Sequence, residues 1–292
     1  MQRLDRYLVL HGLARSRRHA RALLEHGAVR LNGYPAAKAT PVGADDRVEL
    51  TAEASENARL VANPRLPVEV LFADATVVVV NKPGLMPCHP LRAGESQTVM
   101  NGVAAAFPET ADAGPHPREG GLVHRLDNGT SGALIVARTG AAFASLRAAL
   151  TTGQVGRVYH ALACGAVERR LLLDTPIGHS RKSRRRMVGA ASNAAARGAP
   201  RLAQTLVEPL RAIGPFTLLR VTPRTGRRHQ IRVHLALAGH PLVGDALYGG
   251  PAVPGLPPGR FWLHLAELVF DSPASGPVRV EAPLPFELRA FL

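Results

Sequence analysis

Cysteine is scarce. Cys88 and Cys164 are the only two in 292 residues. They are too few and too far apart for a disulfide framework or a Cys-x-x-Cys metal site. No apolar run approaches the roughly 20 residues that a membrane helix needs. The N-terminus, MQRLDRYLVLHG, is charged from its third residue and has no apolar signal core. A Gly-rich dinucleotide fingerprint, a P-loop and an HExxH pattern are all missing. His229, His234 and His240 crowd together, but without the spacing and the Glu of a zinc site. These absences lead to the expectation of a cytoplasmic protein with no membrane, no metal and no nucleotide cofactor. Acidic residues are also short: 22 Asp and Glu face 36 Lys and Arg, for a net charge of +14. A strongly basic chain usually meets a polyanion, most often nucleic acid. The competing explanation is an arginine-rich compositional bias.

The length allows one large domain and a small one. Residues 1–50 read as a small α/β unit. An amphipathic segment from Leu4 stops at Gly12, and Ser16 can cap a second helix with Ala20, Leu23 and Leu24 at helical spacing. Gly27 ends that helix, and Asn32-Gly33 between short apolar runs predicts a hairpin. Residues 51–66 lack a period and read as a linker, leaving 67–292 as the larger domain. Strands are expected at Val68 to Phe72, Val77 to Val80, Arg157 to Leu162 and Phe216 to Thr222. A helix capped by Thr139 should run to about Gly153, and a second should start at Thr225 and end at Gly239. Residues 108–120 read as an exposed loop, and 261–292 alternate in a way that should close a sheet.

The stretch that organises the chain is GLVHRLDNGTSGALIVAR, Gly121 to Arg138. It reads as strand, tight loop, strand, with Asp127 in the loop. An isolated Asp in a turn usually caps that turn. Here three further stretches accompany it: NKPG with His89-Pro90, RVYHAL around Tyr159, and TGRRHQIRVHL followed by GHP and GDALYG. The run RKSRRR, Arg181 to Arg186, suits either a solvated basic loop or a phosphate-contacting one.

Together these motifs resemble those of the RluA-type pseudouridine synthases, over about 67–292. The segment SRRHARALLEHGAVRLNG with a later GADDRVEL resembles a small RNA-binding module first described in a ribosomal small-subunit protein. The resemblance implies a mixed, largely antiparallel α+β sheet with flanking helices and an appended RNA-binding domain. It implies an isomerase acting on RNA, with large-subunit ribosomal RNA as the expected substrate and transfer RNA as the alternative. A non-catalytic RNA-binding or ribosome-assembly factor on the same fold is the competing class. A monomer is expected. The chemistry breaks the bond from ribose to uracil nitrogen, turns the base and rejoins it through carbon, so it calls for no cofactor.

By this resemblance Asp127 falls on the catalytic carboxylate, as nucleophile or as base. Arg232 is its expected ion-pair partner, with Arg227 as runner-up. Tyr159 is expected to stack on the extruded base, and Arg125, after His124, to fill the vacated place. Arg15, Arg17, Arg18 and Arg21 of the small unit are candidate RNA contacts, as are Arg184, Arg185 and Arg186. Lys82 is a further candidate for phosphate, with a structural role in its own loop as the preferred alternative. Three departures stand out: Arg157 replaces a usual lysine, Arg228 a usual threonine, and Pro223 breaks a usually apolar approach. A glycosidase would want two carboxylates astride the bond. No second Asp or Glu is counted in these motifs, which argues against simple hydrolysis.

Overall fold

The computed structural model describes residues 2–14, 16–25, 27–37, 39–51, 59–189 and 196–292. The chain forms two compact units, one reaching residue 60 with 92–94, the other holding 61–91 and 95–292.

In the first unit, α1 (Leu4–Leu10) packs with α2 (Arg17–Glu25). The Ser16 hydroxyl accepts from the His19 amide at 3.2 Å, so the expected cap forms. β1 (Gln2–Arg3) pairs with β4 (Pro41–Val42). β2 (Val29–Leu31) turns through Asn32-Gly33 into β3 (Tyr34–Pro35) and also pairs with β5 (Val48–Leu50). Leu4, Leu8, Ala20, Leu24 and Val29 close the core. That core fixes one face of α2, which leaves Arg17 and Arg21 on its exposed face. Arg15 and the side chain of Arg18 lie outside the described residues.

The second unit is built on one nine-stranded sheet. Along it run β10 (Leu171–Leu173), β14 (Thr205–Ile213), β15 (Phe216–Pro223), β9 (Gly156–Cys164), β16 (Leu263–Ser272), β8 (Ser131–Ala137), β7 (Val77–Lys82) and β6 (Glu69–Ala73). β17 (Gly276–Glu281) adds to β16. Every pair is antiparallel except β16 with β8, so the expected mixed sheet forms. Val77 to Val80 and all of β8 are buried, as central strands covered on both faces should be. α3 (Val99–Ala106), α4 (Gly140–Thr152), α5 (Gln230–Leu237) and α6 (Phe286–Arg289) accompany the sheet. Thr139 caps α4 by accepting from the Ala142 amide, and Gly153 ends it. Among the described residues, no helix is long and apolar enough to cross a membrane.

Several expectations need correction. Of the expected linker, 52–58 lie outside the described residues, and 61–66 belong to the larger unit. Asn63 donates its amide to the Asn101 carbonyl, and Asn101 donates its side chain to the Val61 carbonyl. Leu122-Val123 is not a strand but touches β8 through a single bridge, Leu122 to Val136. Residues 108–120 are not wholly exposed, since Thr110, Ala113 and Arg118 are buried. The helix expected from Thr225 begins only at Gln230, because 225–229 form the turn before it. The Gly- and Ala-rich stretch after the basic run contains a strand. β11 (Ile177–Ser180), β12 (Met187–Gly189) and β13 (Ala196–Arg201) make a small sheet of their own. Ile177 and Met187 seat it on Val233 of α5 and on Tyr248.

Candidate active site

Asp127 lies in the loop that feeds β8, and buried groups hold that loop from below. The Lys82 ammonium donates to the carbonyls of Pro83 at 2.8 Å, Asn128 at 3.2 Å and Thr130 at 2.7 Å. The Cys88 thiol and the Leu126 backbone exchange two contacts of 3.3 Å. Arg260 reaches the Gly129 carbonyl and the Ser131 hydroxyl. Gly132, with φ of +118°, lets the strand run against Leu265, where a Cβ would strike the Leu265 backbone. Lys82 is fully buried, so its assignment as an RNA contact is corrected in favour of the structural role: its three N–H bonds go to backbone carbonyls, two of them in the Asp127 loop and one in its own. Burial lowers its pKa to about 8.

Arg232, on α5, meets Asp127. Its Nη1 donates to Asp127 Oδ2 at 2.9 Å. Its Nε and Nη2 donate to the two oxygens of Asp245 at 2.7 and 2.8 Å. The guanidinium also lies 4.2 Å from the Phe261 ring centroid and 5.0 Å from that of Tyr248. Burial works against its charge, but Asp245 and Asp127 outweigh that and raise Arg232 above the ordinary arginine range. Asp245 is 1% exposed, whereas the Asp127 side chain keeps 23% of its surface. The two carboxylates therefore differ: one is spent as a buried counter-ion, and the other keeps part of its surface open to solvent.

Asp245 corrects the count of one acid among the motifs. It stands in GDALYG, and a buried arginine in the apolar helix QIRVHLAL was the signal for it, because such a charge needs a fixed partner. The bidentate bond to Arg232 keeps Asp245 from serving as a second hydrolytic carboxylate. The runner-up partner is also corrected. Arg227 Nε donates to the Leu202 carbonyl at 2.9 Å rather than to Asp127. Gln230 holds the turn before α5. Its oxygen accepts from the Arg227 amide and the Thr225 hydroxyl, and its NH2 donates to Gln204 and Thr205.

His124 is buried, and its Nε2 accepts from the Ile135 amide at 3.1 Å. It supports the loop instead of meeting a substrate, which corrects its place among the base-flipping candidates. Arg125 is exposed, with no hydrogen-bond partner among the described residues. Tyr159, on β9, is 8% exposed. Burial pushes its phenol up, and Asp127 and Cys88 add to the shift. His229 was not singled out as a site residue. It adopts a left-handed backbone, φ 55°, and points Nε2 at Asp127 Oδ1 across 3.8 Å. A non-glycine residue in that region carries strain, a feature that collects at functional sites. Its Nδ1 lies 2.8 Å from the Tyr248 hydroxyl, which accepts from the Met187 amide. His234 and His240 bond elsewhere, to Thr205 and Thr175 and to the Cys164 carbonyl.

Burial keeps His124 and His229 neutral, lowering them to about 3 and about 4, and does the same for the fully buried His264 of β16 beside the Ser131 hydroxyl, lowered to about 4. The unfolded rings would bind protons below about 6.5, so in the acid range the unfolded state holds more protons. The stability from these neutral rings is full above that pH and is lost as pH falls towards about 4. Each such proton contributes about 1.4 kcal/mol per pH unit. Urea unfolding followed between pH 6.5 and 4.5 should show a steep loss of stability; a flat profile would contradict the neutral assignment.

Residues 76–237 match the RNA pseudouridylate synthase family, and residues 2–48 match the S4 domain. The chain is 37% identical over 294 residues to an uncharacterized RNA pseudouridine synthase of Mycobacterium bovis, covering 96% of this chain and 92% of that protein. It is 34% identical over 281 residues to the ribosomal large subunit pseudouridine synthase D of Neisseria meningitidis, covering 92% and 72%. Among solved structures, human RNA pseudouridylate synthase domain containing 1 aligns with a TM-score of 0.62 and 28% identity, over 77% of this chain and 87% of that one.

Proposed function

The chain belongs to the RNA pseudouridylate synthase family and carries an N-terminal S4 domain, and from that membership we propose that it isomerises uridine in large-subunit ribosomal RNA through Asp127. The class of reaction follows from the family: an isomerase acting on RNA. The observation that carries the role of Asp127 is that, among the described residues, one arginine pairs with it. Arg232 holds Oδ2 at 2.9 Å, and the His229 ring nitrogen stands 3.8 Å from Oδ1, beyond hydrogen-bond distance; no other side chain among the described residues bonds Oδ1. A carboxylate fixed by one oxygen and open at the other suits attack on the anomeric carbon. It equally suits removal of the neighbouring ribose proton. In the first route an ester from Asp127 to the anomeric carbon forms as the bond to uracil nitrogen breaks, and it breaks in turn when the carbon of the turned base attacks. In the second, Asp127 takes the ribose proton as the base leaves and returns it as the new carbon bond forms. In both, the uracil carbon then loses its proton to water and the freed nitrogen takes one up.

Tyr159 supplies a ring against which the extruded base can lie. Arg125, exposed and unpartnered among the described residues, is free to take the emptied place in the RNA. The names of several relatives favour large-subunit ribosomal RNA. The test is tritium release from RNA labelled at the uracil carbon that becomes bonded. Purified protein should release tritium from large-subunit ribosomal RNA and not from transfer RNA. Release from transfer RNA alone would overturn the substrate assignment.

The S4 domain serves, on this reading, as a separable anchor, with Arg17 and Arg21 of α2 on the RNA. Tethering two RNA contacts raises effective concentration without adding catalytic groups. Removing residues 1–60 should raise KM for long ribosomal RNA by about 10²-fold or more and leave kcat and the circular dichroism of the larger unit little changed. Unchanged KM, or an unfolded remainder, would contradict it.

A further inference from the structure

The small sheet that follows β10 bears a basic hollow, distinct from the pair at Asp127. Its volume is about 410 Å³, and His179, Ser180, Arg184, Arg197, Gly198 and Arg228 line it. β11 and β13 place His179 directly opposite Arg197, so the two side chains share one face. Arg184 enters from the turn between β11 and β12. Arg228 enters from the turn before α5 and is held by its own bonds. Its Nη2 donates to the Arg185 carbonyl and its Nε to His229 Nε2, both at 3.4 Å. Gly198 contributes backbone alone, and no atom lies within 4 Å of where its Cβ would be.

Three arginines thus converge on one hollow, and among the described residues none pairs with a carboxylate. Like charges gathered without a counter-ion repel one another, and an anion would relieve that repulsion. Guanidinium forks match phosphate geometry. The hollow is one residue removed from the catalytic carboxylate, because Arg228 touches His229 and His229 faces Asp127. Arg185 and Arg186 have other places. Arg185 lends its carbonyl to Arg228, and Arg186 lies over the Tyr248 ring at 5.5 Å.

We propose that Arg184, Arg197 and Arg228 form a phosphate subsite for the RNA strand, seating a phosphodiester close to the uridine held at Asp127. This rests on the proposed function for the identity of the anion. Because phosphate contacts position a strand without reading its bases, the subsite would set which nucleotide reaches Asp127. Arg228, the departure from the usual threonine, supplies one of its three charges.

The test is fluorescence anisotropy of the full chain with a labelled oligouridine, which offers a phosphate on both sides of every uridine. Combined Arg184→Gln, Arg197→Gln and Arg228→Thr should lower the slope of log affinity against log salt by about 0.7, the value for one single-strand phosphate contact. Equal charge removal at the exposed Arg169, Arg211 and Arg289 should leave the slope as in the parent protein. A single neutral methylphosphonate, moved along the strand, should weaken the parent protein at one position and leave the subsite variant insensitive there. An unchanged slope, equal losses from both variants, or equal sensitivity to the methylphosphonate would overturn the subsite. Binding is read without turnover, so an inactive parent protein would count against the proposed function and leave this result to stand by itself.

Discussion

Asp127→Asn is expected to leave RNA binding intact and to reduce turnover by at least about 10³-fold. Asn has nearly the shape of Asp but can neither attack carbon nor take a proton. The variant should fold, because Arg232 keeps both bonds to Asp245 when Asp127 loses its charge. Affinity should hold or tighten slightly, since the basic surface sheds a negative charge that repels phosphate. Anisotropy and tritium release on one preparation separate the two effects. Loss of binding together with loss of turnover would make Asp127 a structural residue.

Asp245 should matter almost as much, by another route. It is buried and holds Arg232 by two bonds of 2.7 and 2.8 Å. Removing one partner of a buried pair leaves an uncompensated charge and costs about 3–5 kcal/mol. Asp245→Ala should therefore lose stability of that order in urea unfolding. Asp245→Asn keeps the volume and one acceptor, so its loss should be smaller. In the Asn variant the guanidinium can turn, and Asp127 loses the group that orients it. A displacement of this kind can reduce kcat by about 10²-fold. KM should change little, because Asp245 lies out of reach of RNA. Unaltered kcat in a folded Asp245→Asn protein would confine Asp245 to stability.

Much of this architecture was legible in the sequence. Ser16, Asn32-Gly33, Thr139 and Gly153 mark their elements by local chemistry, and the run Val77 to Val80 reads as buried because it has no polar face. The pairing of Asp127 with Arg232 followed from motif resemblance, since no periodicity links residues so far apart. Asp245 was passed over because an acid inside VGDALYGG looks like a turn residue; its role exists only once α5 brings Arg232 against it. Lys82 read as a phosphate ligand for a similar reason. The three carbonyls that consume its protons come from two separate loops, which only the fold brings together. The small sheet of β11 to β13 was missed because glycine and alanine carry little strand preference, and its stability comes from Ile177 and Met187 packing on Val233 and Tyr248.

On the proposed function, Asp127 makes pseudouridine in large-subunit ribosomal RNA. The direct measurement is a position-resolved pseudouridine map of ribosomal and transfer RNA from cells lacking the gene, complemented with either the parent sequence or Asp127→Asn. At least one large-subunit uridine should lose its modification without the gene, regain it with the parent sequence, and stay unmodified with Asp127→Asn. A map that does not change when the gene is removed, or full restoration by Asp127→Asn, would contradict the account.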